Sequence, residues 1–518
     1  MRNSTARLFL ASSAGILVAG AFAVLSASGP DPGLVGAVKA GHAGVVRSLL
    51  EKRADAGAAD RDGTTALTWA VRLDDRETAS LLIGAGAALN SASRYGVTPL
   101  GAAARNGSRS LLSLLIESGA DTHAADRALP DGQTLLMLAA RAGSVESVKL
   151  LIQHGEDVNA RERRVGATPL IWAAAEDRAA VVHALIEAGA DVNGQSSMTR
   201  YPHTPPSVIG DPLEEGVSYV GQTVLPKGGW TPLMYAARQG ALETARVLID
   251  SHADLNLTDP DGTSALLFAV INGHYDVAAL LLDRGADPNL PDKTGMTALY
   301  AAVDMHTVAF TFGRPDPTRE VLDGAVGAIR TLLSHGANPN AALKTRILKR
   351  VYNAGDPRLS EGATPFMRAA RSADVPVMKL LLASGADPRA VQTNGNSPVM
   401  LAVAAEPRRS AAERGDADDR LEAIRVCLEA GVDVNASNGA GDTAAHLAAT
   451  TRSGSPEILQ LLSERGAALA GKNKAGRTPL DAALRARDVS ADTVASLRRL
   501  TGDQGTTEDV KAPVKSDR

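Results

Sequence analysis

Glu214 and Glu215, with His203 shortly before them, are of the residue types that hold and pass protons, the first requirement of acid–base catalysis. Adjacent carboxylates in a loop are weak support for a site, so an enzyme here requires all three to converge in one pocket. Other chemical signatures fail on their context. The ten histidines include no H-E-x-x-H and no clustered Cys/His spacing suited to zinc. Gly84-Ala85-Gly86 begins like a dinucleotide fingerprint, yet it closes an apolar helical stretch and does not join a strand to a helix. Asp60-Arg61-Asp62-Gly63 and Asp259-Pro260-Asp261-Gly262 start as calcium loops start, but the later ligand positions are absent and both read as turn formers. There is no G-x-S-x-G elbow. Cys427, the single cysteine, lies in the apolar row Val426-Cys427-Leu428 and reads as a small buried hydrophobe. No catalytic residue, metal or cofactor is expected.

Composition narrows the function classes further. Lys and Arg number 54 against 58 Asp and Glu, and a net charge of -4 supplies no overall basic field to attract nucleic acid or anionic lipid. No nucleic-acid partner is expected. Aromatics are 3% of the chain while hydrophobic residues are 44%, so the apolar content is aliphatic and alanine. One cysteine excludes an internal disulfide framework, and stability must come from packing.

The elements that do the packing show themselves as a repeat. A glycine, two residues before Thr or Ser and then usually Pro or Ala and Leu, recurs at Thr65, Thr98, Thr134, Thr168, Thr231, Ser264, Thr297, Thr364, Ser397, Thr443 and Thr478. Several steps between these anchors, such as Thr65 to Thr98 and Thr231 to Ser264, are 33 residues. A second phrase, centred 22 residues after most anchors, begins 21 residues after them, as in Gly119-Ala120-Asp121, Gly189-Ala190-Asp191, Gly285-Ala286-Asp287 and Gly385-Ala386-Asp387. Between the two phrases each unit has two short apolar helical stretches separated by a polar or glycine-bearing turn. The anchor threonine can cap the first helix, and proline after it suits the first turn, where its missing N–H is not needed. Glycine after the second helix supplies a left-handed termination. Neither helix is long enough to stand alone, so the units must stack and bury a continuous core between alanine-lined first helices and Leu-Leu-Ile rows such as 81–83 and 150–152.

Thr168-Pro169-Leu170, Ala173-Ala174, Leu185-Ile186 and Gly189-Ala190-Asp191-Val192-Asn193 together resemble the ankyrin repeat, and the resemblance extends over about residues 32–500. It implies an all-α repeat solenoid of about twelve helix-turn-helix units with β-hairpin-like fingertip loops, on the order of 100 Å long if helix layers lie about 8–10 Å apart. It also implies a non-catalytic scaffold that binds a protein partner through its concave surface. Two units depart from the pattern: only Thr443-Ala444-Ala445-His446 has the family's histidine after the opening triplet, and the first unit has Arg53 where glycine is expected.

Interruptions of the 33-residue step mark loops, and loops carry recognition. Inserts are expected near 195–229, 306–322, 341–362 and 406–419. The first carries Tyr201, His203 and Tyr219 among several prolines, and the third gathers Lys344, Arg346, Lys349 and Arg350 beside Tyr352. These eight residues are the candidate partner contacts, because aromatic and arginine side chains dominate binding hot spots. The same loops could equally serve as solvated filler or cover the stack.

At the N-terminus, Arg2 and Arg7 precede an uncharged run, Leu8 to Ser28, that ends in small residues, which is the order of a secretory signal. Residues 1–28 are therefore expected to be a signal peptide or, since the run could span a bilayer, an uncleaved membrane anchor. Export to the periplasm or outside the cell, a monomeric state and a polar, disordered tail at 501–518 complete the expectations.

Overall fold

The computed structural model describes residues 33–123, 129–197, 228–307, 319–345, 358–405, 416–451, 456–486 and 489–503. Within them 24 α-helices fall into twelve successive pairs. The first helices are α1 (Leu34–Lys39), α3 (Ala66–Arg72), α5 (Pro99–Asn106), α7 (Leu135–Ala142), α9 (Pro169–Ala175), α11 (Pro232–Gln239), α13 (Ala265–Ile271), α15 (Ala298–Thr307), α17 (Pro365–Arg371), α19 (Pro398–Val403), α21 (Ala444–Thr450) and α23 (Pro479–Arg485). The second helices are α2 (Ala43–Glu51), α4 (Arg76–Gly84), α6 (Arg109–Glu117), α8 (Val145–Gln153), α10 (Ala179–Glu187), α12 (Leu242–Asp250), α14 (Tyr275–Asp283), α16 (Arg319–Ser334), α18 (Val375–Ala383), α20 (Asp416–Glu429), α22 (Pro456–Glu464) and α24 (Ala491–Thr501). Each first helix packs on the first helices before and after it, and the second helices form an outer row. The result is an all-α repeat solenoid.

Most helices are of six to nine residues, too short to pay their own nucleation, so tertiary stacking holds them. Thr65, Thr98, Thr134, Thr168, Thr231, Thr364 and Thr478 each accept an N–H bond from the third helical residue, closing the first turn. His446 closes α21 differently. Its Nδ1 accepts from Thr443 N at 3.2 Å, so Nε2 carries the proton and donates to Arg477 O of the next unit at 3.0 Å.

Two columns fill the space between layers. Ala70, Ala103, Ala139, Ala173, Ala236 and Ala269 are fully buried on the first helices, where a bare methyl lets layers approach. Leu82, Leu115, Leu151, Leu185, Leu248, Leu281, Leu332, Leu381 and Leu462 repeat one position on the second helices and are all buried. Cys427 occupies that same leucine position in the tenth unit, and burial pushes its thiol pKa well up, so it stays a neutral space-filler.

Among the described residues no strand forms. The fingertips are turns with isolated antiparallel bridges at Ala59–Thr65 and Thr258–Ser264. Neighbouring fingertips are tied by backbone bonds: Arg94 N donates to Asp62 O (2.8 Å), Lys293 N to Asp261 O (2.8 Å) and Lys344 N to Thr294 O (2.8 Å). This approach is close enough that a Cβ on Gly295, at φ +86°, would lie 2.6 Å from Lys344 N. Behind the fingertips, asparagines clamp the next unit's second phrase, as where Asn159 Oδ1 accepts from Asp191 N (2.8 Å) and Asn289 Oδ1 from Asn338 N (2.7 Å). The solenoid is thus registered at three depths by the same few side chains in each unit.

One seam between units is ionic. Arg368 Nε and Asp304 Oδ1 lie 2.5 Å apart, His306 Nδ1 bonds Asp374, and Arg371 Nη1 donates to Ala404 O at 2.6 Å, all buried where α15, α17, α18 and α19 meet.

Candidate functional site

In the second, fifth and sixth units the positions four and seven residues after the capping residue are only partly covered, whereas position four is buried in other units, as at Leu138, Phe268, Ala301 and Leu401. In the second unit the two positions are Trp69 and Arg72, in the fifth Trp172 and Ala175, and in the sixth Tyr235 and Arg238. The seventh position carries Arg72, Arg105 and Arg141 in the second to fourth units, and Lys39 ends the first helix of the first unit, 33 residues before Arg72. A one-turn spacing on a short helix puts both positions on one face, so aromatic rings and cations lie side by side along the row of first helices.

Their geometry repeats as well. Lys39 Nζ lies 4.2 Å and the Arg72 guanidinium 4.6 Å from the Trp69 ring centroid, while Trp69 Nε1 donates to Asp60 Oδ2 at 2.8 Å. Arg141 lies 5.4 Å from the Trp172 centroid and pairs through Nε with Glu176 at 3.1 Å. Arg238 lies 5.2 Å from the Trp230 centroid. Trp230 meets Tyr235 and Phe268 edge-on at 5.3 and 5.0 Å and donates through Nε1 to Asp259 Oδ2 at 3.2 Å. Each pairing of a cation with a ring face is a favourable quadrupole contact that also fixes the side chain's direction. All three tryptophans of the chain take part.

Fingertips and first helices of the fourth to sixth units enclose a cleft of about 360 Å³, with Trp172, Ile171 and Tyr235 on its floor and Arg141, Arg164 and Glu176 at its margin. Burial raises the Tyr235 phenol pKa above its ordinary value, against a hydrogen bond with Ser196 that lowers it. The acidic residues of this face are engaged. Glu162 accepts from the amides of Arg164 (2.6 Å), Val165 (2.7 Å) and Ala167 (3.1 Å). Asp259 Oδ1 accepts from Asp261 and Thr263 N, and Asp60 Oδ1 from Thr64 N. Interaction with Asp62 and then with the Lys39 ammonium holds Asp60 below the usual carboxylate range. The two calcium-like phrases are therefore fingertip turns braced by their own carboxylates.

Ankyrin-repeat family models match residues 34–126, 122–196 and 233–311, with further ankyrin matches at 361–392 and 409–462. The chain is an ankyrin-repeat protein. Among solved structures, the crystal structure of the human ASB11 ankyrin repeat domain is similar at 24% identity over 49% of this chain and 98% of its own, with a TM-score of 0.38. No curated protein matches.

Most of the expected partner contacts of this ankyrin protein, Tyr201, His203, Tyr219, Arg346, Lys349, Arg350 and Tyr352, lie outside the described residues, as do Glu214, Glu215 and residues 1–28. Lys344 is described: its amide ties two fingertips and its side chain is exposed. The ends of the first insert are also in place, since Ser196 N donates to Trp230 O and Gly229 N to Ser196 O, each at 3.0 Å, while Ser197 N donates to Val165 O at 2.7 Å. That insert therefore leaves and rejoins the ankyrin stack at the rim of the cleft. Helix α15 continues through Thr307 and α16 begins at Arg319, so helix occupies both ends of the segment read as an insert at 306–322. His306 is a buried partner of Asp374 within the stack. The cation–aromatic row was absent from the reading of motifs. Its signal was available: a basic residue seven positions after the cap in three successive units, Arg72, Arg105 and Arg141, visible only once the units are aligned on that cap.

Proposed function

We propose that this protein is a non-catalytic scaffold that holds a protein partner against the concave face of its first six units. The observation that carries the reading is the row Lys39, Arg72, Arg105 and Arg141 running into the Trp172–Tyr235 cleft. Arginine, tryptophan and tyrosine are the side chains enriched at the energetic centre of protein interfaces. The row's donors face outward on short helices that the stack immobilises, so little rotamer freedom is lost on binding. Tyr201, His203 and Tyr219 belong to an insert rooted at the cleft rim and, with Lys344, Arg346, Lys349, Arg350 and Tyr352, extend the proposed contact surface. The uncharged run at 8–28 supports export, with the scaffold acting as a monomer in the periplasm or outside the cell. If the run is retained as an anchor, it arranges partners at a membrane surface.

A crosslinking pull-down from the producing cell tests the reading. The intact chain, a chain lacking 198–227 and a chain with Trp172→Ala and Tyr235→Ala are compared. One partner captured by the intact chain and lost from the cleft variant supports the concave-face scaffold. Equal capture by all three contradicts it. Because Ser196 and Trp230 already pair across the base of the insert, the deletion is expected to leave the thermal midpoint nearly unchanged. A large fall would instead show that 198–227 covers the stack.

A further inference from the structure

The geometry points to the chemistry of that partner: an extended acidic polypeptide segment with a carboxylate at every third residue, followed by a large apolar side chain. This deepens the concave-face reading and rests on it. Arg72, Arg105 and Arg141 are exposed and occupy one register position in three successive units. Helix layers pack about 8–10 Å apart and an extended chain rises about 3.3 Å per residue, so one unit matches three residues of a strand lying along the row. A guanidinium takes a carboxylate in a forked pair that an ammonium cannot reproduce. Arg141 bonds Glu176 through Nε, which leaves its terminal amino groups to a partner.

Two further features define the segment. Of the carboxylates facing the row, Asp60 and Glu162 are held by Lys39, Trp69 and backbone amides, and Glu176 takes only Nε of Arg141, so the acidic partner competes with one internal carboxylate, at Arg141. In the fifth unit the cation is replaced by Ala175, and the cleft with Trp172 and Tyr235 opens beside it. A segment that has met three arginines thus reaches an apolar floor at its next three-residue step, where a leucine or aromatic side chain is seated. A nucleic-acid duplex fits the row poorly: each of its strands carries a phosphate about every 3.4 Å of helix axis, some three times denser than one cation per unit.

The three tryptophans all lie on this face, so their emission reports its occupancy without a label. The full chain is titrated with a blocked synthetic peptide bearing Glu at positions one, four and seven and Leu at ten. Controls are a scrambled peptide with adjacent glutamates, a peptide with Lys for Glu, and oligothymidylate. A saturable change with the spaced peptide, weakened about tenfold by R105E and by raised salt, supports the inference. Circular dichroism of the R105E variant, altered only at an exposed side chain, confirms that its stack is intact. Equal binding of the scrambled peptide overturns the spacing, binding of oligothymidylate alone assigns the row to nucleic acid, and no response to any probe overturns the acidic chemistry. Partner crosslinks from the concave face without peptide binding defeat this inference alone, whereas crosslinks only from the outer helices defeat the scaffold reading too.

Discussion

Arg53 and His252 close α2 and α12 at φ +60° and +64°, positions where the other units place glycines such as Gly86, Gly119 and Gly155. A left-handed backbone costs an L-residue about 1–2 kcal/mol, and glycine returns about 0.4–1 kcal/mol of that through its freer unfolded chain. His252→Gly is therefore expected to stabilise its unit by about 0.5–1 kcal/mol, read as slower amide exchange in α12. Faster exchange there would show that the imidazole contributes a contact that outweighs the strain. Arg368 presents the opposite case. It is buried beside Asp304, and Arg368→Met leaves a carboxylate in the interior, an expected loss of about 3 kcal/mol in denaturant unfolding. Adding Asp304→Asn should recover part of it. If the double variant is no better than the single, the pair is not coupled and the seam owes its stability to packing.

At the level of single helices, capping separates units that look alike in sequence. Thr168 accepts from Ile171 N at 3.3 Å, whereas Ser397 makes no side-chain cap bond although its hydroxyl is buried. Thr168→Ala should cost about 1 kcal/mol and Ser397→Ala close to nothing, a difference resolved by comparing exchange in α9 and α19. Equal costs would mean that the hydroxyl bond contributes little and that packing sets both helix ends. The helices themselves were legible because the sequence writes each boundary twice, once as Thr-Pro-Leu and again as Gly-Ala-Asp, and because glycine and proline act through the backbone. The ionic seam was not. His306 and Asp374 are far apart in sequence, and His306 fell at the edge of an apparent insert, so only stacking brings them together. Cys427 was legible for the same reason as the helices, since the leucine column it joins has a fixed register.

Across the whole molecule, a solenoid makes long-range order out of local rules, which is why the architecture could be read from the chain before any contact was known. The face proposed to bind could not be read the same way. Residues at the fourth and seventh positions differ from unit to unit, partly or fully exposed at Trp69 and Arg72 but buried at Leu401 and in the seam at Asp304, Arg368 and Arg371, so the repeat phrase does not select them, and attention falls instead on inserts that break the period. The regular face is where the structure concentrates its tryptophans, on a protein whose net charge of -4 gives no hint of a cationic row. The central claim is that this row and its cleft form the surface that meets the partner. Site-specific photocrosslinking tests it most directly, with the reactive group placed at Arg105 or Tyr235 on the concave face and at Lys149 or Arg246 on the outer helices. One partner is expected to crosslink from Arg105 and from Tyr235 and from neither outer position. Crosslinks from the outer helices with none from Arg105 or Tyr235 would contradict that claim.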